Sequence, residues 1–277
     1  MGGLNDQLVK VIFPLFYCAT IAMLYCAIRA FGSRRFALLF AFLLGSIPQF
    51  TAYAGNAYHE VPLAFYIFAS FLFLMRFIED PARTQDAILG AIFVGLAGWT
   101  KNEGLLYCVV HLAVLGAYCL VNAKQLPRGA RIAAAASPVI VVALLLPWII
   151  IKRRFGLVNN EIELSRVNPA YLAQQLGKLG PIAYEFQKQF FGPKKWLIVW
   201  PVAAGVLAIY WRKALSGVGR YIALWLGLAI TGYILFYMIS RLDILYFLGK
   251  TWSRFLLHFL PVVMYYVAWT LKDEVTL

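Results

Sequence analysis

Two polar interruptions in an otherwise apolar chain set the strongest limit on what it can fold into. They are Ala54-Gly-Asn-Ala-Tyr-His-Glu-Val-Pro62 and Thr100-Lys-Asn-Glu-Gly104. The apolar run before the second, Ala87 to Trp99, is only 13 residues long. A helix that crosses about 30 Å of hydrocarbon needs roughly 20 apolar residues, and 13 residues rise only about 20 Å. If that run starts at one membrane surface, Lys101 and Glu103 fall short of the other. Charged, non-helical backbone at such a depth is tolerated only inside protein or beside a water-filled cavity. The sequence therefore predicts a polar cavity, entered from one side of a membrane, that holds an acid and a base together.

Composition supports the membrane. The 277 residues are 62% hydrophobic and 13% charged, about half the charge of a soluble domain. We expect an all-α, polytopic helix bundle forming one transmembrane domain over 1–277, with about nine membrane segments. These are Val11–Ala30, Phe36–Tyr53, Val61–Phe77, Ala87–Trp99, Leu105–Val121, Ile132–Ile151, Trp196–Trp211, Tyr221–Ser240 and Phe255–Leu271. The net charge of +13 would suggest nucleic acid in a soluble protein. Here it points to loops facing anionic lipid head groups or to an anionic lipid-linked substrate, so the expected partners are lipids and not nucleic acid. Cys18, Cys26, Cys108 and Cys119 fall in predicted spans without metal-type spacing and read as small core residues. Trp99, Trp148, Trp196, Trp200, Trp211 and Trp252 fall near segment ends, as in an interfacial aromatic belt.

Charge also predicts orientation. Short connections on one side carry 12 Lys and Arg and those on the other carry 5, with 8 more in the long connection Lys152–Lys195. The positive-inside rule then puts the N-terminus outside and the C-terminus in the cytoplasm of a plasma (inner) membrane, with both polar breaks and the loop 152–195 facing out. In that loop Leu172, Leu176, Leu179, Ile182, Phe186 and Phe190 recur at steps of three and four. This reads as an amphipathic outer helix, kinked at Gly180-Pro181, lying on the membrane or roofing the bundle.

Four stretches together resemble the GT-C glycosyltransferases, in the group of protein O-mannosyltransferases and aminoarabinose transferases (family 39-like). They are Phe31-Gly-Ser-Arg-Arg-Phe-Ala-Leu-Leu39, Tyr53-Ala-Gly-Asn-Ala-Tyr-His-Glu-Val-Pro-Leu-Ala-Phe65, Gly95-Leu-Ala-Gly-Trp-Thr-Lys-Asn-Glu-Gly-Leu-Leu106 and Arg254-Phe-Leu-Leu-His-Phe-Leu-Pro261. The resemblance implies transfer of a sugar from a polyprenyl-phosphate donor to an acceptor hydroxyl on the extracytoplasmic face. It also implies roles. Glu60 matches an outer-loop acid and becomes the catalytic candidate, as orienter of the acceptor or ligand of a divalent metal; no other metal ligands are expected. Lys101 and Arg254 become contacts for donor phosphate or sugar, with Glu103 beside them. Family members carry an Asp-Glu pair in a first outer loop after an initial span. Asp6, in Gly3-Leu-Asn-Asp-Gln7, lacks that context, so the resemblance implies a chain that begins after that span and loop.

The residues leave other readings open. Glu60 precedes Pro62, and an acid in a helix's first turn is favourable without any catalysis. Lys101 could pair with Glu60 or Glu103 merely to fold the break. Arg254 could be an interfacial arginine. His59 and His258 lie near the predicted outer face, as helpers at the site or as packing. His111 falls mid-span and suits an interhelical hydrogen bond. Arg153 and Arg154, with Lys152, could attract an anionic donor or anchor a span end. The rival functions are a transporter or lipid flippase, where broken helices mark the substrate site, and a non-catalytic membrane subunit.

Overall fold

The computed structural model describes residues 10–56, 58–157 and 166–274. Among them the chain is helical and has no β-sheet. Six helices are long and apolar enough to cross a membrane. These are α1 (Ile12–Arg29), α4 (Glu60–Glu79), α6 (Gly104–Val121), α7 (Arg128–Arg154), α13 (Gly219–Ile239) and α14 (Ile244–Leu271).

The other three predicted segments are also helical but fall short of that length. Phe36–Tyr53 is divided into α2 (Arg34–Ser46) and α3 (Pro48–Ala54), bent by 69°. Pro48 causes the break, because it forces Ile47 out of the helical region. The 13-residue run becomes α5 (Thr84–Thr100), whose 17 residues still reach only about 25 Å. The last is cut to α11 (Val199–Ile209).

α4 and α14 form the centre. In their most apolar stretches 78% and 89% of residues are buried, against 22% and 17% in α1 and α7. α5 is packed between α4 and α7. Its close approach to α7 depends on missing side chains, as is common between membrane helices: a Cβ on Gly95 or Gly98 would lie 2.6 Å from Leu144 or Leu145. The turn into α6 is equally tight. A Cβ on Gly104 would lie 1.9 Å from the Ala97 carbonyl oxygen, so Lys101, Asn102 and Glu103 are squeezed into a three-residue turn that only glycine can close.

The long connection differs from expectation. α7 continues through Lys152 to Arg154 before the chain leaves the bundle. The amphipathic segment is three pieces: α8 (Pro169–Gln174), a 3₁₀ turn at Leu176–Lys178, and α9 (Leu179–Phe190). The break lies at 175–178, while Pro181 sits in the first turn of α9, where it has no helical hydrogen bond to lose. α9 packs on α14, and its inward face is partly polar. Gln189 donates to Glu185 at 2.8 Å and accepts from the Trp196 indole at 3.1 Å. Phe186 and Leu179 of the apolar stripe remain exposed. Trp196 belongs to α10 (Pro193–Trp196) and is fully buried, as are Trp200 and Trp252 nearly so. These three belong to the core, not to an interfacial belt. A short helix, α12 (Trp211–Ala214), leads into α13.

Candidate active site

The two polar breaks meet at one end of the bundle. Glu60 opens α4, and its side chain is only 1% exposed. Its position in the first turn sets the acid at the positive end of the helix dipole. Its Oε1 accepts from two cations. One is the Lys101 ammonium, at 2.9 Å. The other is Nε of Arg254, from the first half of α14. Lys101 also pairs with Glu103 at 2.8 Å. Four charges from three distant parts of the sequence thus form one cluster, and they cancel. Lys101, Glu103 and Arg254 keep 21%, 18% and 25% of their side chains exposed, so the cluster is buried on the Glu60 side and open on the other.

Aromatic side chains complete the open face. The Arg254 guanidinium lies 5.7 Å from the ring centre of Tyr58, in cation–π range. Tyr58 packs against Tyr53, also at 5.7 Å, and is itself exposed. Neither tyrosine stands out in the sequence, because aromatic residues are abundant at every span end; only the contact with Arg254 singles them out.

Behind the cluster runs a buried polar chain. His258 follows Arg254 by four residues, so both lie on one face of α14. Its Nδ1 shares a 2.8 Å hydrogen bond with the Tyr233 hydroxyl. Tyr233 in turn bonds the Tyr107 hydroxyl at 2.8 Å. This joins α14, α13 and α6. Two buried polar atoms end without a protein partner, Oε2 of Glu60 and Nε2 of His258. In the same bundle, His111 makes the expected interhelical bond, at 2.7 Å to Ser70 Oγ.

The remaining candidates stand apart from the cluster. His59 is exposed and meets Phe13 edge to face, with ring centres 6.2 Å apart. Arg153 and Arg154 end α7 and are exposed. They share the cluster's end of the bundle, since Trp148, one turn earlier, packs against Trp99 beside the second break. No ion pair joins either arginine to the cluster among the described residues. No three His, Cys, Asp or Glu side chains gather there in a way that could hold a metal ion, again among the described residues. Glu60 already spends one oxygen on two cations, so a divalent ion would need Oε2 and donors from substrate. Asp6 lies outside the described residues.

The architecture and this cluster define a polytopic membrane protein with a half-buried ionic site at one end of its helices. Residues 2–151 match the family described as dolichyl-phosphate-mannose-protein mannosyltransferase. The match covers more than half of the chain and takes in Glu60, Lys101 and Glu103; the chain belongs to that family. No curated protein and no solved structure matches it.

Proposed function

We propose that the chain acts as a membrane glycosyltransferase of GT-C type, moving a sugar from a polyprenyl phosphate to an acceptor hydroxyl at the Glu60 end of the bundle. We assign that end to the extracytoplasmic face, with the N-terminus outside and the C-terminus in the cytoplasm. The observation that carries this reading is the convergence of Glu60, Lys101, Glu103 and Arg254 on one largely buried spot that opens on one side, with both polar breaks folded around it.

In the reaction the bond from the sugar's anomeric carbon to the phosphate oxygen breaks. A bond from that carbon to the acceptor oxygen forms on the opposite face. The acceptor's proton passes to a base and the polyprenyl phosphate leaves with both electrons of the broken bond. Arg254 and Lys101 meet at one carboxylate oxygen with part of each side chain exposed, and suit the leaving phosphate, whose charge grows as the bond breaks. Glu60 holds those two cations through Oε1. Glu60 is itself buried, so its part is to fix the two cations that face the open side, which makes it a positioning carboxylate. Tyr58 and Tyr53 offer a flat face at the rim.

The cancelling charges also suit a clamp that only joins the two breaks, as in a non-catalytic subunit. One assay separates the two. Membranes containing the protein receive radiolabelled polyprenyl-phosphate sugar and acceptor, with wild type, Glu60→Gln, Lys101→Ala and Arg254→Lys compared at equal folded protein. The catalytic reading expects transfer by wild type and a loss of about 10²-fold for Lys101→Ala, the scale seen on removing one preorganised donor. Transfer that is equal in every folded variant removes the site assignment. No transfer by folded wild type, with variants that only unfold more easily, supports the clamp.

A further inference from the structure

At the end of the bundle opposite Glu60 lies a cavity of about 650 Å³. It is bounded by α1, the last two turns of α4, the α4–α5 turn and the end of α14. A cavity of this size suits a small molecule or one lipid's head and upper chain. Its walls divide by chemistry. Met23, Leu72, Phe73 and Tyr265 make an apolar floor, and Arg76, Arg83 and Lys272 stand on the rim.

Each rim cation is braced by the protein and keeps donors to spare. Arg76 lies over the Phe73 ring at 5.4 Å and turns Nε toward Asp86 at 3.1 Å. Arg83 directs Nε to Asp80 at 3.2 Å. A guanidinium carries five N–H donors, and both arginine side chains are 49% exposed. The Lys272 ammonium stands 4.6 Å above the Trp269 ring. Two anions also line the cavity, Asp80 and Glu79, and Glu79 faces Lys272, Arg83 and Arg76 as well as the Trp269 indole, so the three cations outnumber the wall acids by one. A braced cationic rim over an apolar floor is the complement of an amphiphile with an anionic head, and basic pockets between spans are where phospholipid heads dock.

We infer that this cavity binds a glycerophospholipid from the leaflet at that end, its phosphate on Arg76, Arg83 and Lys272 and an acyl chain along Met23, Leu72 and Phe73. The inference is independent of the glycosyltransferase reading, because no residue is shared with the Glu60 cluster.

Cys26 gives the test a built-in reporter, since it lines the cavity and is exposed. Cys18, two turns away on the same helix and also exposed, does not line it and serves as the control. Delipidated protein in detergent would receive phosphatidylglycerol, chain-matched diacylglycerol or glycerol 3-phosphate. Bound lipid is read by native mass spectrometry and thiol alkylation by a membrane-permeant maleimide. The expected result is one phosphatidylglycerol retained per chain, with Cys26 alkylation slowed severalfold and Cys18 unchanged. Diacylglycerol and glycerol 3-phosphate bind at least about tenfold more weakly, and Arg83→Gln/Lys272→Gln weakens the phospholipid by about tenfold. Lys152→Gln, at the other end, does not. Equal binding of diacylglycerol shows that the phosphate is not read and overturns the proposal. So does equal binding of glycerol 3-phosphate, which makes the cavity a free phosphate site. Equal protection of Cys18 and Cys26 places the lipid elsewhere and also overturns it. If the double variant fails to fold, the Cys26 comparison in wild type still decides.

Discussion

Two carboxylates are fully buried in the first turn of a helix, Glu60 in α4 and Asp86 in α5. They lie at opposite ends of the bundle and face the same desolvation problem, yet they solve it differently. Asp86 takes one cation, Arg76, ten residues away and itself half exposed. Glu60 takes two, one of them 194 residues away, and both keep part of their surface open. A pair such as Arg76–Asp86 needs only to neutralise a charge and secure a turn. A carboxylate given two cations, one of which also holds a second acid, has more polar capacity around it than its own burial requires. That surplus distinguishes a site from a staple.

The comparison can be broken at several points. The largest expected effect is from Glu60→Leu, which strands Arg254 beside an apolar side chain and leaves Lys101 only Glu103. Breaking a buried pair costs about 3–5 kcal/mol, so unfolding in mixed micelles should show a loss at the top of any variant series. Asp86→Leu strands only the half-exposed Arg76, which can reach water, and should cost about 1–3 kcal/mol. If the two losses are equal, the distinction between site and staple fails. Next comes function: Asp86→Asn should leave sugar transfer per folded molecule unchanged, whereas Arg254→Lys, which keeps the charge but loses the planar fork, should lower it about tenfold. A double-mutant cycle over Arg76 and Asp86 should return a coupling of about 1 kcal/mol, because the Arg76 partner is half exposed and screened by solvent. The smallest effect belongs to Tyr58→Leu. Removing one exposed cation–π contact is worth about 0.5–1 kcal/mol, so KM for the donor should rise two- to fivefold with stability nearly unchanged.

Much of the Glu60 site was legible in the sequence, and the reason is physical. A charge inside an apolar run must be sheltered or functional, so Glu60, Lys101 and Glu103 were marked by contrast with their neighbours. Arg254 was marked less by contrast than by the company of the motif around it. Asp86 went unmarked because it falls beside the charged turn 79–83 and looks solvated; only the start of α5 at Thr84 brings it beneath Arg76. Tyr58, Tyr107 and Tyr233 were hidden for the opposite reason. A tyrosine among apolar residues breaks no pattern, and its hydroxyl partners depend on which helices pack together. The burial of Trp196, Trp200 and Trp252 likewise follows from neighbours and not from local composition.

The separation between Glu60 and Arg254 has a consequence for biosynthesis. A ribosome adds about 5–20 residues per second, so Lys101 follows Glu60 by roughly 2–8 seconds and Arg254 by roughly 10–40 seconds. During that interval α4 must enter the bilayer with its acid only half neutralised. The interval before Lys101 emerges, when Glu60 has neither cation, is the stage at which this protein most needs an insertase or a lipid head group as a temporary counter-ion.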